Sequence, residues 1–172
     1  MEGTEDSRGS KALLANATTR LRRQHALEDV LEQVVCSLQS GSEPDLSIAM
    51  VGLATLLPDS VIQQALNLVD TGDAITRLES DKGRVMFEVA GNGLSHAVPP
   101  HGVYCSCQYF ARRVACGDDL CCKHWLAVQL ALRTNRGITK AVGLSEAALL
   151  EWASRRLLPT LDLPAAPWGG AA

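Results

Sequence analysis

The sequence predicts an α+β protein: an N-terminal helical cluster, a small antiparallel β-sheet, a ββα-like segment rich in cysteine, and C-terminal helices. Three observations predict it. Apolar residues recur at helical spacing up to about residue 72. The period then falls to two over residues 74–98. Finally, five of the six cysteines crowd into eighteen residues around a histidine.

The chain has 172 residues, 47% of them hydrophobic and 4% aromatic. That suits one domain with tails and a core built from Leu, Val, Ala and Ile. The net charge of −3 supplies no whole-protein field for nucleic acid, so any such contact needs a local patch. No apolar run approaches bilayer length, and no signal-peptide run opens the chain. The expectation is a soluble protein of a reducing compartment, with no membrane association and no small-molecule substrate.

Residues 1–25 read as a polar, disordered arm with a short basic cluster at Arg20, Arg22 and Arg23. Residues 26–72 form the helical region. Leu27, Val30, Leu31, Val34, Val35 and Leu38 make one apolar stripe, with Glu28, Asp29, Glu32 and Gln33 opposite. Gly41 stops that helix, and Cys36 lies off its stripe. A second helix, 46–57, is apolar nearly all round and ends at Pro58. Such a helix is buried on most sides or covered by another chain. Ser60 and Gln63 read as a capping box for a third helix, whose inner face is Val61, Ile62, Ala65, Leu66 and Val69.

Residues 73–101 hold the β-hairpin region. Strands 74–79 and 84–89 flank Ser80-Asp-Lys-Gly83, where glycine suits the positive-φ turn position. Residues 94–98 make a third strand and Val103-Tyr104 a short fourth. Residues 102–133 are the finger, ending in a helix over 122–133 that Asn135 to Gly137 close. Residues 134–158 hold a last helix capped by Ser145, with Leu144 and Leu149 placed as a staple. Residues 159–172 are a flexible tail.

The chemistry lies in Cys105-Ser-Cys107, fourteen residues, then Cys122-Lys-His124. In a chain without a secretory address such crowding means metal before disulfides. Three thiolates and an imidazole make a complete tetrahedral set for zinc. Two cysteines on an extended rim and a Cys-x-His at a helix start can converge on one ion. Such a staple supplies about 10–16 kcal/mol of apparent folding free energy in small zinc modules, so loss of metal should hurt the C-terminal half most. Cys121 also stands three residues before His124, a spacing that works on a helix. Cys116, His96 and His101 are near as well. Spacing gives Cys122 only a modest edge over Cys121.

CxC, a loop of fourteen, then CxH resembles the SWIM zinc-finger signature, over about residues 103–132. The resemblance implies Cys105, Cys107, Cys122 and His124 as ligands of one structural Zn2+. Ala65-Leu-Asn-Leu-Val-Asp70, the hairpin of Ile75 to Val89 and Tyr104-Cys-Ser-Cys107 extend the similarity, over roughly 26–155, to SWIM subunits of Shu-type homologous-recombination complexes. The long N-terminal arm, Cys121 and the Pro/Gly-rich end depart from that pattern.

The family implies a nuclear, non-enzymatic subunit. It would pair with a RecA-like recombinase paralogue and support recombinase filaments, with single-stranded DNA contacted through the complex. The chain has no GxxxxGK[ST] phosphate loop, so ATP hydrolysis would belong to the partner. The alternative is a DNA-binding module. Between His101 and Lys140, Arg112, Arg113, Lys123, Arg133, Arg136 and Lys140 outnumber Asp118 and Asp119, and Tyr109 and Phe110 could stack on bases. A redox role for Cys116 and Cys121 is the weakest reading, because no base–nucleophile arrangement is legible.

Overall fold

The computed structural model describes residues 18–19, 21–23, 25–31, 33, 37, 43–91 and 93–157. Residues 1–17 of the expected arm, the later part of the first expected helix with Val34, Val35, Cys36 and Leu38, and the tail from 159 lie outside them; the described arm residues 18–19 and 21–23 are helical, so Arg22 and Arg23 stand on helical backbone and not in a disordered arm.

Residues 25–31 are helical, and Leu27 and Leu31 of the expected stripe are buried. Two full helices follow: α1 (Glu43–Leu56) and α2 (Asp59–Asp70). Gly52 lets α1 approach the first helix, since a methyl group there would meet Val30 Cγ1 at 3.1 Å. Among the described side chains of α1, Leu53 is fully buried, whereas Ile48 and Val51 are exposed.

The capping box expected at Ser60 and Gln63 does not form. Pro58, with φ −60° and ψ 137°, is itself the N-cap of α2. Its carbonyl accepts the N–H of Val61 at 2.9 Å and of Ile62 at 3.3 Å. Proline fixes φ in the range a helix start needs, so the helix begins one residue before Ser60. Val61, Ile62 and Ala65 are buried as the apolar stripe requires, with Leu66 and Val69 half-buried.

Strands β1 (Ile75–Ser80), β2 (Val85–Ala90) and β3 (Ser95–Val98) form the expected antiparallel meander. The hairpin turn closes through Gly83 N–H to Ser80 O at 2.9 Å. The fourth strand corrects the expectation. Val103-Tyr104 is not a strand; β4 (Ile138–Leu144) is, and it runs parallel to β1. The sheet is therefore mixed, in the order β3-β2-β1-β4. Two local features explain the difference. Pro99-Pro100 and the turn at Gly102 bend the chain away after β3. Ile138, Thr139 and Val142 supply β-branched residues beyond the end of α3 (Lys123–Thr134).

Side-chain alternation sorts the sheet into two faces. Ile75, Phe87, Val89 and Val98 join the main core with α2 and α3. Leu78 and Ala97, buried on the other face, lie beneath α4 (Glu146–Leu157), which packs on β1 and β3 and buries Leu149. Asp81 in the hairpin turn holds the start of α4, its Oδ1 accepting the Glu146 N–H at 2.9 Å. The Ser145 cap forms, accepting the Ala148 N–H at 3.2 Å. The α+β class stands, with three layers instead of a helical cluster followed by a sheet. Among the described residues no helix is long and apolar enough to cross a membrane.

Candidate metal centre

The chain leaves β3 and turns back along its edge. Ser106 pairs with Ala97 twice: Ser106 N–H donates to Ala97 O at 3.1 Å, and Ala97 N–H donates to Ser106 Oγ at 2.9 Å. With Ser106 tied to the sheet, Cys105 and Cys107 flank it and both turn inward, each nearly fully buried. The two thiols thus come from a bent segment fastened to the edge of β3.

The second pair comes from the start of α3. Cys122 is the N-cap, with extended φ −103° and ψ 165°, and His124 lies in the first turn. Trp125, buried beside them, donates its Nε1–H to Gly102 O at 2.8 Å and so ties the loop after β3 to this helix. Cys105, Cys107, Cys122 and His124 meet at one buried point, their donor atoms all within 4.8 Å of one another. Cys105 Sγ stands 3.8 Å from His124 Nδ1. Ligands about 2.0–2.3 Å from a tetrahedral ion are themselves about 3.3–3.8 Å apart, so small side-chain adjustments suffice. His124 Nε2 is buried without a hydrogen-bond partner. With Nδ1 facing the thiols, Nε2 is the nitrogen turned away from them. The four residues can hold a metal ion.

The thiols perturb one another as a shared site must. Hydrogen bonds with Cys107 and Cys122, then burial, push Cys105 far above the ordinary thiol range. The same hydrogen bonds, from Cys105 and Cys122, hold Cys107 far below it. For Cys122 the bond with Cys105 pulls down, but Cys107 and burial prevail and push it up to about 12. Two helix starts present N–H groups to sulfur: Phe110 N–H reaches Cys107 Sγ at 3.3 Å, and the Trp125 N–H reaches Cys122. Both favour the thiolate.

The rival donors fall outside the cluster. Cys121 is buried, its pKa raised chiefly by burial, and it packs as a small apolar residue. Cys116 and His101 are exposed. His96 is close without being in the set: its ring centroid lies 4.3 Å from that of His124. A cleft of about 680 Å³ opens beside the centre, walled by His96, Cys107, Cys122, Lys123, His124 and Arg156 among others.

The inter-ligand segment is more ordered than an open loop. Phe110–Val114 forms a π-helical turn with Phe110 and Val114 buried. Arg112 and Arg113 are exposed upon it. Arg113, however, pairs with Asp118 at 3.4 Å and Asp119 at 3.1 Å, and Arg133 pairs with Glu28 at 3.1 Å. Two of the six basic residues counted from sequence are thus already matched within the chain. The role of Asp119 was not legible, because the contact depends on how the turn folds.

Comparison of the chain with protein-family models, curated proteins and solved structures finds no match.

Proposed function

We propose that Cys105, Cys107, Cys122 and His124 bind one structural Zn2+, and that the chain is a SWIM-type, non-enzymatic interaction subunit. The observation that carries the reading is the buried three-sulfur, one-imidazole cluster joining the rim of β3 to the start of α3. Soft thiolates with an imidazole favour zinc over magnesium or calcium. Four protein ligands would leave no position for a reacting water, so the ion's role is to staple sheet to helix.

The partner we infer is a RecA-like recombinase paralogue in the nucleus, the complex supporting recombinase filaments on single-stranded DNA. This part rests on the motif resemblance. Its support within the fold is α1, where Ile48 is 66% and Val51 64% exposed, an apolar face that a protein partner would cover. Direct nucleic-acid binding by the loop around Arg112 and Arg113 has less behind it, since Arg113 is already paired with Asp118 and Asp119.

The test is co-expression of the full chain, intact and as His124→Ala, with a RecA-like paralogue, measuring zinc content and complex recovery on both. One zinc per intact chain, lost in the variant, is expected, together with a soluble complex from the intact chain. Zinc retained by His124→Ala overturns the ligand set. An intact chain that is a soluble, partnerless monomer overturns the subunit role. Hydrogen exchange after chelation should rise first between residues 95 and 134.

A further inference from the structure

The segment joining the two ligand pairs is closed by contacts that the metal cluster does not use. Tyr109 stands two residues beyond Cys107, and Asp119 three residues before Cys122. Tyr109 OH donates to Asp119 Oδ2 at 2.7 Å, and Arg113 Nε donates to the same oxygen at 3.1 Å. Arg113 Nη1 lies 3.4 Å from Asp118 Oδ2. The backbone N–H groups of Asp118 and Asp119 both donate to Arg113 O, at 2.9 and 3.2 Å. The Asp119 side chain is only 16% exposed, although it lies in a surface segment.

We propose that Asp119 is a positioning residue of the metal centre, closing the neck of the 108–121 segment through Tyr109 and Arg113 so that Cys107 and Cys122 stay in reach of one ion. The proposal rests on the four-ligand reading above. Fourteen residues separate the two ligand pairs. Holding the ends of an open loop of that length together costs entropy each time the centre re-forms. The Tyr109–Asp119 bond across the neck removes that freedom, and Arg113 braces the same carboxylate from within the loop. Charge-assisted hydrogen bonds to a carboxylate are the strong kind. The two donors approach the same oxygen from one turn, so Asp119 fixes the loop's shape and its span together. Tyr109 is held at the neck by its bond to Asp119.

The experiment uses the full-length, zinc-loaded chain and follows zinc release to a colorimetric chelator. Cobalt-loaded protein is read in parallel through its thiolate charge-transfer bands. Tyr109→Phe removes a single oxygen; Asp119→Ala removes both bonds; Asp119→Glu keeps the charge. Release is expected to be about tenfold faster for Asp119→Ala and severalfold faster for Tyr109→Phe. Asp119→Glu should recover part of the loss, and the cobalt bands should shift in Asp119→Ala. Unchanged release and unchanged cobalt bands, with only a lower melting temperature, overturn the positioning role and leave the ligand set standing. Absence of zinc from the intact chain overturns both.

Discussion

The imidazole rings of His96 and His124 lie 4.3 Å apart, centroid to centroid, with their planes tilted by 43°. His96 thereby covers a member of the candidate metal cluster on the side of the cleft. Its place is bought from the turn before it. A methyl group at Gly91 would stand 2.7 Å from His96 Nε2 and 2.8 Å from Leu94 O. The second of these is backbone and cannot swing aside. Gly91→Ala is therefore expected to destabilise by about 1–3 kcal/mol, read from urea unfolding. Metal content should match that of the parent, because the atoms nearest the added methyl group belong to His96 and Leu94 and not to the four-residue cluster. A neutral Gly91→Ala would show that the β2–β3 turn yields without cost.

How much of this was readable beforehand differs by feature. The convergence of Cys105, Cys107, Cys122 and His124 was readable because it depends on chain-local geometry: a residue pair beside β3 and a helix start. The meander was readable because Ile75, Phe87 and Val89 alternate with more exposed neighbours. The parallel strand β4 was not, since its pairing with β1 joins Ile75 to Ile138, and nothing in a local window reports a partner sixty residues away. The start of α2 misled for a different reason. Ser60 and Gln63 have the residue types of a capping box, but Pro58 had already set the backbone.

The exposed and buried sides of α1 should respond in opposite ways. Val51 is 64% exposed and Leu53 is fully buried. Val51→Glu is expected to leave stability within about 0.5 kcal/mol of the parent, raise solubility and weaken capture of the co-expressed partner. Leu53→Ala should cost about 2–5 kcal/mol through the cavity it leaves. Paired urea titrations and co-purification separate the two. A strongly destabilised Val51→Glu would mean that α1 covers this face within the chain.

Tyr109 gives the neck of the 108–121 segment a pH signature. Burial, then the hydrogen bond and charge of Asp119, raise Tyr109 to about 12. Burial, then Cys105 and Cys107, raise Tyr104 as well. A group whose folded pKa lies above its unfolded value, roughly 10 for tyrosine, favours the fold while protonated. Its contribution is complete below about pH 10 and is lost as pH rises through about 12. Phenolate absorbance should therefore appear at higher pH in native protein than in denaturant. Tyr109→Phe should abolish the step near 12. A native titration superimposable on the denatured one would contradict the hydrogen bond to Asp119.

The attachment of β4 to the rest of the fold turns on Gly137. After α3, Asn135 takes a left-handed conformation, with φ 53°, and Gly137 follows with φ +76°. A Cβ on Gly137 would fall 2.6 Å from Val69 O and 2.9 Å from Val69 Cα, both backbone atoms in the last turn of α2. Neither can move without displacing the helix. Gly137→Ala thus adds a steric conflict to the ordinary cost of a left-handed alanine, for an expected loss of about 2–5 kcal/mol in all. Gly72 is the matched control: its φ is +77°, but nothing lies within 4 Å of the added methyl. Gly72→Ala should cost only the conformational part, about 1–2 kcal/mol. The difference between the two substitutions isolates the contact between the end of α2 and the start of β4. Hydrogen exchange should place the loss in 138–144 and in its partner strand, because β4 pairs with β1 along its length. Equal costs for the two variants would mean that β4 is held by its pairing with β1 alone, and that the close approach to Val69 contributes nothing.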